Sequence, residues 1–162
     1  MSDFKVVVTD IEGDNLLDKL TKFHCATVMD FYTGEHREFR PWEYLEYLQL
    51  LKEAEVYINH NILGFDFPAL EKLFGFQWNR SQCYDTLVVS RTVYPDRPGG
   101  HSLKTLGKSL GVYKGDFGET ESWEVFTEDM MKYNVQDCVV TRALAQDQLR
   151  RLGIDIREVV YG

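Results

Sequence analysis

The feature that most constrains this chain is a pair of acids at the end of an apolar segment. Lys5–Thr9 is rich in β-branched residues, and Asp10-Ile-Glu12 follows it directly. Such a run favours a buried strand, and side chains alternate along a strand, so Asp10 and Glu12 point to the same face. Two neighbouring carboxylates are costly to bury unless a positive group lies between them. The pair therefore indicates either a divalent-cation site, since Mg²⁺ prefers oxygen ligands, or a solvated acidic turn that continues through residues 13–15.

Length and charge narrow the class of protein. The 162 residues are 44% hydrophobic, which predicts one soluble globular domain over residues 1–162. The chain contains no apolar run of roughly 20 residues and begins without a secretory pattern. A net charge of −8 argues against a protein that coats nucleic acid electrostatically, but not against a nuclease whose acids bind metal ions. Three cysteines without pairing or zinc spacing predict reduced thiols.

Turn and periodicity signals predict an α/β layered domain with a mixed sheet. Two strands after the first flank a turn at Gly34, which is typical of a hairpin and would complete an antiparallel meander. Later strands alternate with helices, and ligands of such sheets bind where loops leave the strand ends. The predicted strands span 22–30, 35–40, 55–61 and 83–85; helices begin at Pro41, Pro68, Thr86, Ser102 and Thr127; a polar loop covers 112–122. Apolar residues recur at helical spacing after Pro41, at Trp42, Leu45, Leu48 and Leu51.

Two later segments place more carboxylates near element ends or core margins. Tyr133 and Asp137 are four residues apart, so on a helix they share one face, beside apolar neighbours that would be buried. Asp66 follows a short strand and loop and lies just before the helix predicted at Pro68. Taken singly, each has a simpler interpretation: Asp137 as a helix-surface acid, and Asp66 as a helix-start acid stabilised by the dipole.

Taken together, these segments resemble the proofreading 3′→5′ exonucleases of the DnaQ-like, or DEDD, superfamily. Members carry an Asp-x-Glu pair on the first strand, an Asp after a short strand and loop, and a last Asp on a C-terminal helix. The matching positions are Asp10, Glu12, Asp66 and Asp137, with Tyr133 four residues before the last Asp, as in the tyrosine subclass. The ordered motifs at 21–25, 85–91, 101–107 and 130–137 are most similar to the exonuclease domain of podophage family A DNA polymerases.

The resemblance implies a ribonuclease H-like fold and two divalent ions, Mg²⁺ or Mn²⁺, held by the four acids. It implies that Tyr133 orients the attacking water rather than acting as the base, because an unperturbed phenol titrates near pH 10. The expected substrate is the 3′ end of single-stranded DNA, and no polymerase domain follows residue 162. The chain would then be a free-standing exonuclease, the partner of a separately encoded DNA polymerase, or an excised fragment. It is expected to be a monomer in the cytoplasm of a phage-infected host.

Position suggests further substrate contacts, each with a structural alternative. Asn61 would touch the terminal nucleotide or cap the following loop, and His101 would touch a phosphate or support a helix start. Leu16 and Phe65 would pack on the terminal base or simply join the core. A modest positive group at Lys104, Lys108 and Lys114 would guide the strand or only be solvated.

Other functions remain open from the sequence. An exoribonuclease or oligonucleotidase of the same superfamily would carry the same carboxylates, because the hydrolysis does not involve the 2′-hydroxyl. A non-catalytic subunit that binds nucleic acid or a polymerase is a further alternative, although such proteins usually lack one of the four acids.

Overall fold

The computed structural model describes residues 3–112 and 122–161. Most of the predicted polar loop, including Lys114, lies outside the described residues. None of the helices in the described part is long and apolar enough to cross a membrane.

The centre of the molecule is a mixed sheet. Its strands are β1 (Val6–Gly13), β2 (Phe23–Asp30), β3 (His36–Phe39), β4 (Val56–Asn59) and β5 (Cys83–Asp85). The five strands lie in the order β3-β2-β1-β4-β5. The pairs β1–β2 and β2–β3 are antiparallel, whereas β1–β4 and β4–β5 are parallel. The predicted meander followed by parallel strands is confirmed.

Helices follow the strands as their caps predict. They are α1 (Tyr44–Glu53), α2 (Phe67–Phe74), α3 (Thr86–Val93), α4 (Leu103–Ser109), α5 (Glu128–Leu152) and α6 (Ile156–Tyr161). The hydroxyls of Ser102 and Thr127 accept backbone hydrogen bonds at the starts of α4 and α5. Gly153 ends α5 at φ 68°, a left-handed conformation that glycine adopts readily. The short helix α6 was not predicted.

The helical spacing after Pro41 does not mark the buried face of α1. Residues Pro41–Glu43 form a tighter 3₁₀ turn, and the α-helix proper begins one residue later. Trp42 and Leu45 are 69% and 64% exposed. The buried side chains of α1 instead follow the spacing i, i+3 and i+4 from Tyr47, because the Tyr47 ring stacks on Phe23 of β2 at a centroid distance of 5.8 Å. The buried residues of α1 are Tyr47, Leu50 and Leu51.

Helices cover both faces of the sheet, and α5 covers the face that matters for the site. Val6 and Val8 of β1 are buried beside Cys138 and Ala145 of α5. Val7, between them, points to the opposite face and joins the core that includes α1 and α2. This alternation determines which β1 side chains reach α5.

Candidate active site

Two acids of β1 lie on the side of the sheet that α5 covers. Alternate residues of a strand share a face, so Asp10 and Glu12 continue the row begun by Val6 and Val8. Both acids are half-buried, and β1 continues through Gly13. The pair therefore lies within the strand and not in a solvated turn.

Helix α5 brings a third carboxylate to this pair. Asp137 is 7% exposed, and one ligand oxygen each from Asp10, Glu12 and Asp137 lies within 4.8 Å of the other two. We call these three residues the acid cluster. The donors are all oxygens, which suits hard divalent cations such as Mg²⁺ or Mn²⁺. The donor set and spacing of the acid cluster thus fit the metal centre that the sequence predicts.

Asp66 lies next to the acid cluster in a different environment. It ends a π-helical turn over Ile62–Asp66 and is 2% exposed. Its Oδ2 accepts a hydrogen bond from the Ile11 backbone N–H at 3.0 Å, and its Oδ1 accepts one from Asn59 Nδ2 at 3.0 Å. These contacts bind Asp66 to β1 and β4, so its alternative interpretation as a plain helix-start acid is incomplete.

Two buried asparagines connect the acids, and neither was singled out from the sequence. Asn59 at the end of β4 donates from Nδ2 to Asp10 Oδ1 at 2.8 Å as well as to Asp66. Asn134 of α5 donates from Nδ2 to Asp10 Oδ2 at 3.0 Å and, at 3.4 Å, to Glu12 Oε1. Each of the two Asp10 oxygens therefore accepts a bond from a neutral amide. A usable signal was the helical spacing of Asn134, three residues before Asp137 on the same face of α5.

Burial and like charge make the acids difficult to ionise without a cation. The pKa of Glu12 is raised well above its ordinary value, by burial first and then by the charges of Asp10 and Asp137. The pKa of Asp66 is also raised well above its ordinary value, by burial first and then by Asp10. A divalent cation at the acid cluster would favour the charged carboxylates and reverse this effect.

Tyr133 lies one turn before Asp137 on α5 and is half-buried. The Trp123 ring meets it edge-to-face at a centroid distance of 6.1 Å. The backbone carbonyl of Trp123 lies 2.7 Å from His24 Nε2 of β2, which ties this tryptophan to the sheet. Trp123 is a residue of the site that sequence reasoning missed, because no pattern linked its loop to β1.

An apolar cavity of about 370 Å³ opens beside Glu12. Leu16, Phe65 and Trp123 line it. Leu16 is 74% exposed, so its alternative role in the core is wrong, whereas the half-buried Phe65 also packs against the core that includes α1 and α2. The structure brings both predicted base-contacting residues to the edge of the acid cluster.

A second, more polar cleft of about 620 Å³ opens on the other flank, where Asp10 and Asp137 form part of its wall. Asn61, His101 and Arg91 also line it. The Nδ1 atom of His101 lies 2.7 Å from Ser90 Oγ, which supports the start of α4 as the alternative interpretation proposed.

Asp85 holds the turn that carries Asp66. Its carboxylate accepts bonds from the N–H groups of Asn61 and Leu63 at 2.9 and 3.2 Å, besides capping α3. Asn61 itself adopts φ 68°, a left-handed conformation that asparagine tolerates. Asp85 therefore both caps α3 and braces this turn.

Comparisons with known proteins identify relatives of the chain by sequence and by fold. No protein-family model matches the sequence. The DNA-directed DNA polymerases of Enterobacteria phage T3 and Escherichia phage T7 are 38% and 37% identical to it over 187 aligned positions, which cover 89% of this chain. The chain spans only 26% of the length of each polymerase.

Solved structures share the fold at low identity. Brucella melitensis NrnC is 18% identical with a TM-score of 0.69, and the match covers 98% of this chain and 80% of that one. The Aedes aegypti Nibbler EXO domain is 10% identical with a TM-score of 0.73, covering 98% and 85%. Escherichia coli RNase D, an exoribonuclease involved in structured RNA processing, is 16% identical with a TM-score of 0.59, covering 96% and 47%. NrnC has also been solved with bound Mg²⁺ and bound to pGG.

The sequence match to the two polymerases, together with the fold and the acid cluster, identifies a ribonuclease H-like exonuclease of the DEDD superfamily. The sequence match is more particular than the fold. This chain is homologous to the exonuclease domain of the phage T3 and T7 DNA polymerases and belongs to the same family.

Proposed function

We propose that residues 1–162 act as one metal-dependent 3′→5′ exonuclease domain, which removes nucleoside monophosphates from the 3′ ends of single-stranded DNA. The observation that carries this proposal is the convergence of Asp10, Glu12 and Asp137 within 4.8 Å. The similarity to DNA-directed DNA polymerases favours DNA as the substrate.

The four acids would together hold the two cations. Asp10 would serve both, because its Oδ1 and Oδ2 accept bonds from different elements, from Asn59 of β4 and Asn134 of α5. Glu12 and Asp137 would help to hold one cation, and Asp66 the other. Bound cations would lower the pKa of the attacking water and neutralise charge on the scissile phosphate and the leaving 3′ oxygen.

The remaining side chains would position the substrate and the water. The Tyr133 hydroxyl orients the attacking water, and its contact with Trp123 limits where that ring can turn. Leu16 and Phe65 at the apolar cavity would pack on the terminal base, since every base has an apolar face that stacks on such side chains. The end of the DNA strand and the attacking water would then meet at the acid cluster.

The polar cleft on the opposite flank suits the sugar-phosphate backbone. Asn61 and His101 line it and would contact phosphates there. Arg91 is exposed, lines the same cleft and forms no ion pair with any residue in 3–112 or 122–159. An Arg91→Ala substitution should therefore weaken binding of single strands and reduce its salt dependence by about 0.7 in the log–log slope for each phosphate that the arginine neutralises. Arg97→Ala is the matched control, because Arg97 lines a cavity between α3, α4 and α5, away from the acids.

We further propose that the domain trims ends for a separately encoded DNA polymerase, as a monomer in the cytoplasm of the phage's host. The similarity to two phage DNA polymerases supports a polymerase as the partner. Co-purification of the domain with a polymerase from infected cells would test the partnership.

Digestion of a 5′-labelled single strand tests the proposed activity. We expect a ladder of shortened products with Mg²⁺ or Mn²⁺, no cleavage with a chelator, and no cleavage by Asp137→Ala under either condition. Cleavage that persists in the chelator, or a fully active Asp137→Ala protein, would refute the assignment.

RNA is the second candidate substrate, because the RNase D structure shares the fold. Matched DNA and RNA oligonucleotides of one sequence, assayed side by side, decide between them. We expect the DNA strand to be degraded faster. Faster degradation of the RNA strand would make the chain an exoribonuclease or oligonucleotidase with the same metal site.

A further inference from the structure

The contacts of Asn134 set it apart from the other buried polar residues of α5. Its side chain is fully buried. One end of its amide faces the acid cluster, where Nδ2 donates to Asp10 Oδ2 at 3.0 Å and to Glu12 Oε1 at 3.4 Å. The two hydrogens of an amide nitrogen diverge, so a single group can bind two carboxylates at a defined separation.

The other end of the amide is held by β2. Thr27 Oγ1 donates to Asn134 Oδ1 at 2.6 Å, and Thr27 is itself fully buried. Thr27 lies directly opposite Asp10 in the β1–β2 ladder, so both side chains point toward α5. With the carbonyl end engaged by Thr27, the N–H end must face the acids. A flipped amide would turn an oxygen toward two carboxylates and leave a buried acceptor badly placed.

Neutral amide donors are suited to this role. A lysine or arginine at the same place would pair with the acids and compete with a divalent cation. An aliphatic side chain would leave the carboxylates free to rotate apart under their mutual repulsion. An amide holds both carboxylates by hydrogen bonds and leaves their charge for the cation.

From these contacts we propose that Thr27 and Asn134 form a positioning pair, which holds the Asp10 and Glu12 carboxylates at the spacing that binds the divalent cation. The proposal rests on the proposed function, because it assigns these residues to the metal centre of that reaction. Neither residue touches the substrate. Their effect passes through the carboxylates and should therefore appear in metal affinity before it appears in substrate binding.

The test measures apparent Mg²⁺ and Mn²⁺ affinity from the metal-dependent rise in melting temperature, with no substrate present. We expect Asn134→Ala to weaken that affinity about 10- to 100-fold, as is typical when a group that orients a metal ligand is removed. Thr27→Val should weaken it about 2- to 12-fold, the range that corresponds to one hydrogen bond, and Thr27→Ser should restore it. In Asn134→Ala, adding Thr27→Val should weaken metal affinity no further, because the two residues act through one amide.

Thr9→Val is the matched control. Thr9 is equally buried, and its hydroxyl bonds to the Thr27 carbonyl and Tyr47 Oη at 2.9 and 2.7 Å, on the face of β1 opposite Asp10 and Glu12. It should lower the melting temperature in chelator as much as Thr27→Val does, while leaving metal affinity unchanged. This separates positioning from a general decrease in stability.

Kinetics supply a second measurement. For Asn134→Ala and Thr27→Val, saturating metal should restore kcat, and KM for the oligonucleotide should stay at the wild-type value. Unchanged metal affinity in both variants, or a decrease equal to that of Thr9→Val, overturns the positioning pair while leaving the exonuclease assignment intact. A wild-type protein with neither metal-dependent stabilisation nor metal-dependent cleavage overturns both.

Discussion

Replacing Asp137 by asparagine should make the metal-free protein more stable while destroying its activity. Asparagine keeps the size and shape of the side chain but removes one of the three charges of the acid cluster. In the absence of a cation those charges only repel one another. A substitution that improves folding and abolishes turnover is the behaviour expected of a metal ligand rather than of a structural acid.

The size of the effect follows from the geometry. The ligand oxygens of the acid cluster lie within 4.8 Å of one another, and two full charges at that limit repel by about 3.5 kcal/mol at an effective dielectric constant of about 20. Asp137 faces both Asp10 and Glu12, but the raised pKa of Glu12, due first to burial, already favours its protonated form and relieves part of the repulsion. A net gain of about 1–3 kcal/mol in the free energy of unfolding remains, or about 3–10 °C in melting temperature for a chain of this length.

The assay is thermal unfolding of both proteins in chelator and in saturating Mg²⁺. A cation present at 1,000 times its dissociation constant stabilises the wild type by about 4.1 kcal/mol, which exceeds the advantage of Asp137→Asn in chelator, and the variant should gain much less from the cation. The melting temperatures of the two proteins should therefore change order between the two conditions. The crossing is the diagnostic feature, since no purely structural role of Asp137 would produce it.

Asp147→Asn provides the control on the same helix. Asp147 is paired with Arg150 and Arg151 at 2.5 and 2.8 Å, so neutralising it should lower the melting temperature slightly, with no dependence on metal. A lower melting temperature for Asp137→Asn than for wild type in chelator would refute the reasoning. Equal stabilisation of wild type and Asp137→Asn by Mg²⁺ would also refute it.

Further predictions concern pH, the tyrosine and the turn. The pKa values of Glu12 and Asp66 are raised, chiefly by burial, so the stability that these groups give the metal-free protein is present below their unfolded pKa values near 4 and is lost as the pH rises above them. The Mg²⁺-induced rise in melting temperature should therefore grow from about pH 4 toward neutrality. A flat profile would contradict this. Tyr133→Phe should slow kcat by up to about 100-fold without changing KM or metal affinity, because the attacking water loses its orientation. Single-turnover kinetics can measure this, and an unchanged rate would remove the hydroxyl from the mechanism. Gly64→Ala would place a Cβ 2.3 Å from Asn61 Oδ1 and displace that side chain, so oligonucleotide KM should rise while Mg²⁺ stabilisation is kept; an unchanged KM would mean that Asn61 makes no substrate contact.

Local sequence patterns predicted most of the secondary-structure elements of the fold. The β-branched run before Asp10, the turn at Gly34 and the cap at Thr127 each predict their own element from neighbouring residues, and each is confirmed. The apolar spacing after Pro41 predicted a helix but not its buried face, because several apolar residues there offer more than one helical stripe. Only contact with Phe23 and the adjoining strands selects the stripe that includes Tyr47.

For the site, the sequence by itself determined which acids share a face within each element. A period of two places Asp10 and Glu12 together on β1, and a helical period places Tyr133 near Asp137 on α5. Only tertiary structure decided three features: the approach of the β1 and α5 acids to within 4.8 Å, the hydrogen bond from Asn59 to Asp66, and the hydrogen bond from Thr27 to Asn134. The physical reason is that periodicity states where a side chain points relative to its own backbone. Which side chains meet across elements depends on how α5 lies on the sheet, and that is set by the packing of the whole core.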